Sequence, residues 1–123
     1  MTEQMIEKMN RFFAERIAGC DRHSRELKED ERGDEAVLDK VRANIYDVFR
    51  TVLSAAVKAG RGDPEAVSRF YSEKLEVIPA GWADAYEKAR EHNDAVKMRI
   101  ESIKLDAVAD IREYFNRIRE EET

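Results

Sequence analysis

Residue types that commonly build covalent frameworks and metal sites are scarce in this 123-residue chain. It contains one cysteine, Cys20, so no disulfide can form within the chain, and a lone thiol is typical of a reducing compartment such as the cytoplasm. The two histidines, His23 and His92, lie far apart, and neither has an acid three residues before it as in the Glu-x-x-His pairs of di-iron bundles. We therefore expect no metal and no cofactor.

Long hydrophobic runs and glycine-rich motifs are also missing. No stretch of eighteen apolar residues is available to cross a bilayer, and residues 1–5 do not resemble the start of a secretion signal. No glycine pattern typical of phosphate-binding loops or of nucleophile elbows occurs. We expect a cytoplasmic protein with no membrane partner and no catalytic residues of these types.

Charge is abundant but of the wrong sign for binding nucleic acids. Charged residues make up 40% of the chain, and 27 acids against 22 bases give a net charge of −5. An acidic chain repels phosphate backbones, and the sequence contains no local run of basic residues that reverses the balance. Nucleic acid is therefore not an expected partner.

Apolar residues recur at steps of three and four along most of the chain, which is typical of helices that pack on one another. We predict an all-α fold: an antiparallel helical bundle of about four helices with a long C-terminal helix, in a single domain over residues 1–123. Thr2, Asp34 and Asp63 are the predicted N-caps, and glycine or proline residues are the predicted stops. The predicted helices cover about residues 2–18, 35–59, 64–77 and 80–119.

A charged connection over residues 20–34 separates the first two predicted helices. Between Asp21 and Glu35, eleven of fifteen residues are charged and only Leu27 is apolar. Such a segment has little to bury, so we expect an exposed loop, a solvated extension of a helix, or partial disorder.

The most regular feature is an apolar stripe in the last third of the chain. An unbroken helix over residues 80–119 would be ~60 Å long at ~1.5 Å per residue, whereas a compact domain of this size is roughly 35 Å across. We therefore expect the stripe to need a second copy of the chain to cover it, in a homodimer, unless the helix bends within residues 90–94. Its residues, the candidate interface, are Trp82, Tyr86, Ala89, Asn93, Val96, Ile100, Ile103 and Ala107.

Asn93 is the one polar residue of this stripe. One interpretation is that its amide pairs with a partner group and fixes the register of the helices, as buried amides do in coiled coils. The other is that this part of the helix is exposed to solvent.

Two pairs of acids offer an alternative. Glu73-x-x-Glu76 and Glu91-x-x-Asp94 resemble the acidic helix motifs of the MazG-type nucleoside triphosphate pyrophosphohydrolases, although Ser72 stands where that family usually has a glutamate. The resemblance implies a magnesium-dependent all-α enzyme. At ~100° per residue, however, these acids point away from the apolar face of their helices.

Two classes of function follow from the sequence. The first is a non-catalytic helical bundle that acts through self-association or docking onto another protein. The second is a small all-α enzyme of the MazG type or a small-ligand binder, with the acidic pairs or the aromatic residues around Trp82 as its site.

Overall fold

Residues 1–122 of the computed structural model form four helices joined by three-residue turns, and no strand occurs in this range. The prediction of an all-α four-helix bundle is confirmed. Consecutive helices pack against each other, α2 also packs along α4, and α1 meets α4 over a short stretch. The helices are α1 (Glu3–Glu29), α2 (Gly33–Gly60), α3 (Pro64–Glu91) and α4 (Ala95–Glu121).

The up-and-down order places two turns, at residues 30–32 and 92–94, at one end of the bundle, which we call the turn end. The third turn, at residues 61–63, lies at the opposite end, where the Met1 side chain is buried. The main core occupies the half of the bundle near Met1 and contains side chains from all four helices. Its largest fully buried members are Met9, Phe13, Phe49, Leu53, Tyr71, Val108, Ile111, Phe115 and Ile118.

The first helix is longer than predicted. Thr2 caps α1 as expected, its side chain accepting a hydrogen bond from the Met5 N–H at 3.2 Å, but the helix continues past Gly19 to Glu29. Cys20, Ser24 and Leu27, spaced by four and three residues, bury one face of this extension, while charged side chains cover the other. Of the three possibilities for residues 20–34, the helical extension is therefore correct for most of the segment.

The second helix matches its predicted bounds to within two residues. It begins at Gly33, so Asp34 lies in the first turn and is not the N-cap. It ends at Gly60, where a Cβ would lie 2.4 Å from Val67 Cγ2. Any larger residue at position 60 would collide with Val67 and force α2 and α3 apart, which explains the glycine at this turn.

The third helix does not end before Pro79, as the prediction of residues 64–77 requires, but runs to Glu91. A proline inside a helix removes one N–H donor and so leaves the carbonyl four residues earlier without its helical partner. Here that carbonyl belongs to Leu75, and the Arg112 guanidinium of α4 donates a hydrogen bond to it. Packing against α4 thus supplies the hydrogen bond that proline cannot make.

The predicted continuous helix over residues 80–119 is wrong, because the chain reverses at residues 92–94 between α3 and α4. Asn93 adopts the left-handed conformation with φ 55°, which asparagine tolerates better than most residues. The Asp94 N–H then donates to the Ala89 carbonyl at 2.9 Å, and the Asp94 side chain accepts from the Lys97 N–H at 3.1 Å. Asn93 thus reverses the chain after α3, and Asp94 is the N-cap of α4, so the polar segment is a turn.

Candidate functional site

The turn at residues 92–94 divides the predicted interface stripe between two antiparallel helices, α3 and α4. Trp82 and Tyr86 are half-buried on α3, where Ala89 is buried, and Ile103 and Ala107 are buried on α4. Asn93 is exposed in the turn, Ile100 is half-buried, and Val96 is 73% exposed. Because no helix is much longer than its neighbours, the length argument for a second copy no longer applies, and the homodimer stays a prediction.

The acids of the MazG-like pattern do not form a cluster. Glu73 and Glu76 are exposed on α3, Glu91 is its last residue, and Asp94 is engaged as the cap of α4. Within residues 1–122, no three histidine, cysteine, aspartate or glutamate side chains lie close enough together to hold a metal ion. The resemblance therefore gains no support from the fold.

A groove between α3 and α4, in the half of the bundle near Met1, is lined by arginines from separate parts of the sequence. It consists of two adjoining cavities of about 710 Å³ and about 150 Å³, which share Ser72 and Arg119. We call it the arginine groove. Its lining residues are Pro64, Glu65, Ser68, Arg69, Ser72, Leu75, Glu76, Arg112, Phe115, Asn116 and Arg119.

Two of its three guanidinium groups are held by neutral partners. Arg112 donates to the Leu75 carbonyl, and the Arg119 guanidinium lies over the Phe115 ring, 5.2 Å from its centroid. Neither these two nor Arg69 forms an ion pair with an acid among the described residues. The arrangement fixes positive charge without neutralising it.

Hydroxyl and amide groups complete the lining of the arginine groove. Ser68 and Ser72 lie one helical turn apart on α3, and Asn116 lies one turn from Arg112 on α4. Ser68 Oγ accepts a hydrogen bond from the Met1 nitrogen. Two acids, Glu65 and Glu76, are the only lining groups of opposite charge, so three arginines outnumber them in a chain whose net charge is −5.

A second groove, between α1 and α2, has a different chemistry. Its volume is about 350 Å³, and its central feature is a histidine paired with a buried carboxylate. Asp39 is only 4% exposed, and its Oδ2 lies 2.5 Å from His23 Nδ1, while Arg42 approaches Oδ1 at 3.4 Å. We call this the His23 groove. Its lining residues are Glu15, Arg16, Gly19, Cys20, Arg22, His23, Asp39, Arg42 and Tyr46.

A polar network that shares Arg16 and Tyr46 with the lining of the His23 groove links three helices. Asp110 of α4 accepts hydrogen bonds from Arg16 Nε at 2.8 Å and from the Tyr46 hydroxyl at 2.6 Å. Burial acts to raise the pKa of Asp110, but these hydrogen bonds and the Arg16 charge outweigh it, so the pKa lies below its ordinary value. Burial, reinforced by Asp110, raises the pKa of Tyr46 well above its ordinary range, which keeps the phenol protonated as a donor.

Cys20 also lines the His23 groove but is not an activated nucleophile. Its side chain is buried, and burial raises the pKa of the thiol, which disfavours the reactive thiolate. The histidine and aspartate are therefore the chemically distinctive pair of the groove.

Comparison with known proteins gives no further assignment. No family model matches the chain, and neither a curated protein nor a solved structure matches it significantly. None of the four helices in residues 1–122 combines the length and apolar character needed to cross a bilayer.

Sequence reasoning missed both grooves because their residues come from different helices. Arg69 is 43 positions from Arg112, and the two meet only once α3 and α4 are aligned. A weak signal was available in Arg112, Asn116 and Arg119, whose spacing of four and three places three polar side chains on one helical face.

Proposed function

We propose that the protein binds a small phosphate-bearing anion in the arginine groove. One observation carries the proposal: three arginines line a single groove, two of them are held by a carbonyl and an aromatic ring, and none is paired with an acid in residues 1–122. The chain contains 27 acidic residues, so a shortage of carboxylates does not explain why these arginines lack acidic partners. An anionic ligand would provide the missing counter-charge.

The donor set suits phosphate. A guanidinium presents parallel N–H groups that match two phosphate oxygens, and charge-assisted hydrogen bonds of this kind are about twice as strong as neutral ones. The hydroxyl of Ser72 and the amide of Asn116 add donors between the arginines. The larger cavity, about 710 Å³, lies within the size range of small-molecule sites, which is ~300–1,000 Å³.

Preorganisation favours this groove over an ordinary set of surface arginines. A flexible arginine loses side-chain entropy when it binds, at a cost of ~0.5–1.5 kcal/mol. The contacts of Arg112 with the Leu75 carbonyl and of Arg119 with the Phe115 ring hold both guanidinium groups in place within the fold. The lining of the arginine groove includes no histidine or cysteine, so we propose binding without covalent chemistry there.

Calorimetric titration with pyrophosphate tests the proposal. We expect saturable binding at one site, weakened about ten-fold in Arg119→Ala, since a hydrogen bond to a charged group contributes ~1.5–3 kcal/mol. Arg99→Ala is the matched control: Arg99 is an exposed arginine of the same helix outside the groove. Absence of binding, or equal weakening by both substitutions, would refute the proposal.

Self-association is a second candidate, and it rests on the turn end of the bundle. Val37, just after the first turn of α2, and Val96, in the first turn of α4, are 55% and 73% exposed. Apolar side chains exposed together at one end can form a small contact between copies. Sedimentation equilibrium at micromolar concentration tests it: a dimer that Val96→Lys dissociates supports this surface, and a monomer rules it out.

We also propose a reducing compartment, such as the cytoplasm. The support is the single cysteine, Cys20, which is free and buried against α2.

A further inference from the structure

We propose that His23 is a general base and that the His23 groove hydrolyses small esters. The inference is independent of the arginine groove, which lies between the other pair of helices. It rests on the pairing of His23 with a buried carboxylate, on the space beside that pair, and on the unpaired arginine that lines the same space.

The carboxylate fixes the tautomer of the imidazole. A carboxylate only accepts hydrogen bonds, so in the 2.5 Å contact between Asp39 Oδ2 and His23 Nδ1 the imidazole is assigned as the donor, with its proton on Nδ1. Nε2 then carries the lone pair. The imidazole is 58% exposed, so water and a small substrate can reach that nitrogen.

The burial of Asp39 beside an exposed histidine also supports a catalytic role for His23. Burying a carboxylate costs free energy unless its partners compensate, and here the partners are His23 and Arg42. A buried aspartate that orients a more exposed histidine is the arrangement by which hydrolases hold a catalytic imidazole. Asp39 would act as a positioning residue, because it reaches the substrate only through His23.

The remaining lining provides space and positive charge. Gly19 has no side chain, and the nearest atom to a Cβ built there is a guanidinium nitrogen of Arg22 at 3.9 Å, so the groove stays open at that point. Arg22 makes no hydrogen bond or ion pair within residues 1–122 and lines the same cavity. Its charge can stabilise an oxygen that becomes negative during the reaction.

The proposed reaction uses water alone as co-reactant. As the water oxygen forms a bond to the ester carbonyl carbon, His23 Nε2 takes a proton from that water, and the carbonyl oxygen becomes negative near Arg22. The tetrahedral intermediate then collapses: the bond from carbon to the alcohol oxygen breaks, and the imidazolium returns the proton to that oxygen. The products are a carboxylic acid and an alcohol, and His23 is neutral again.

Hydrolysis of 4-nitrophenyl acetate tests the inference, and His92 offers a matched control because it is the other histidine of the chain and caps α3 at the turn end. We expect His23→Ala to lower kcat/KM at least ten-fold, since general-base catalysis contributes ~10²–10⁴-fold, and added imidazole to restore part of the loss. His92→Ala should leave the rate unchanged. Asp39→Asn should lower kcat with little change in KM, because only the orientation of the base is altered.

Three results would overturn the inference. The first is a wild-type rate no higher than that of free imidazole at the same concentration. The second is an equal loss in His23→Ala and His92→Ala. The third is a His23→Ala variant that keeps its helical circular dichroism, loses activity, and gains nothing from imidazole.

Discussion

The hydrogen bond from Arg112 to the Leu75 carbonyl should be strongly coupled to Pro79. Leu75 is 2% exposed in the fold, where the Arg112 guanidinium donates to its carbonyl. An unsatisfied buried acceptor costs ~1–3 kcal/mol. We therefore expect Arg112→Met, which keeps much of the aliphatic stem, to lower the free energy of unfolding by about this amount.

The same substitution should cost far less when residue 79 can donate. Pro79→Ala restores an N–H to the helix, where alanine is favoured over proline by ~3 kcal/mol, although loss of the buried ring offsets part of the gain. In the Pro79→Ala background the Leu75 carbonyl has its helical partner. Arg112→Met should then change the free energy of unfolding by less than ~0.5 kcal/mol, the range of ordinary surface substitutions.

Urea denaturation of the four proteins of this double-mutant cycle measures the coupling. We expect a coupling free energy of ~1–3 kcal/mol, the value of one satisfied buried acceptor. An equal cost of Arg112→Met in both backgrounds would show instead that Arg112 contributes nothing specific to the helix at Pro79.

Two further predictions concern the α3–α4 turn and the polar network of Asp110. Because Asn93 has φ 55°, Asn93→Gly should keep or slightly raise the melting temperature and Asn93→Val should lower it, the free energy of unfolding falling by about 1 kcal/mol or more; thermal unfolding with the reverse order would contradict the turn. Since the pKa of Asp110 is lowered in the fold, its stabilisation is complete above the ordinary value of 3.8 and is lost as the pH falls through the lower folded value. Asp110→Asn should therefore be less stable than wild type at pH 6, with the difference shrinking below pH 4 in urea titrations; a difference independent of pH would rule out this role.

Features set by neighbouring residues were predictable from the sequence. Asp63 and Pro64 form the cap and first turn of α3 as expected, with Asp63 Oδ1 accepting from the Glu65 N–H at 3.0 Å. The all-α class followed from the apolar periodicity, which each helix shows within a few turns.

Features that depend on contacts distant in sequence were not predictable. Pro79 was expected to stop a helix and does not, whereas the segment around Asn93, expected to lie within a continuous helix, forms a turn. At Pro79, the Leu75 carbonyl that lacks its helical partner accepts a hydrogen bond from Arg112, which is 37 positions away in sequence and meets Leu75 only in the folded bundle. The apolar stripe keeps its heptad spacing on both sides of the turn, with Asn93 at one of the heptad positions. The spacing therefore predicts one continuous helix, although the Asn93 backbone is left-handed and the chain turns there.

The candidate sites were hidden for the same reason. Each groove combines side chains from two helices, and a net charge of −5 conceals a local excess of arginine. His23 lies in a segment so charged that it resembled a solvated connection. Its partner Asp39 is 16 positions away and becomes visible as a partner only when α1 is known to continue to Glu29.

The most direct test of the proposed function is a pyrophosphate titration followed by NMR, observing backbone amides together with the side-chain signals of Arg112, Asn116 and Arg119. Binding in the arginine groove predicts shifts that saturate and are confined to this groove, with Ser72 among the affected amides. Shifts that do not saturate, or that spread over the other arginines of the surface, would contradict it.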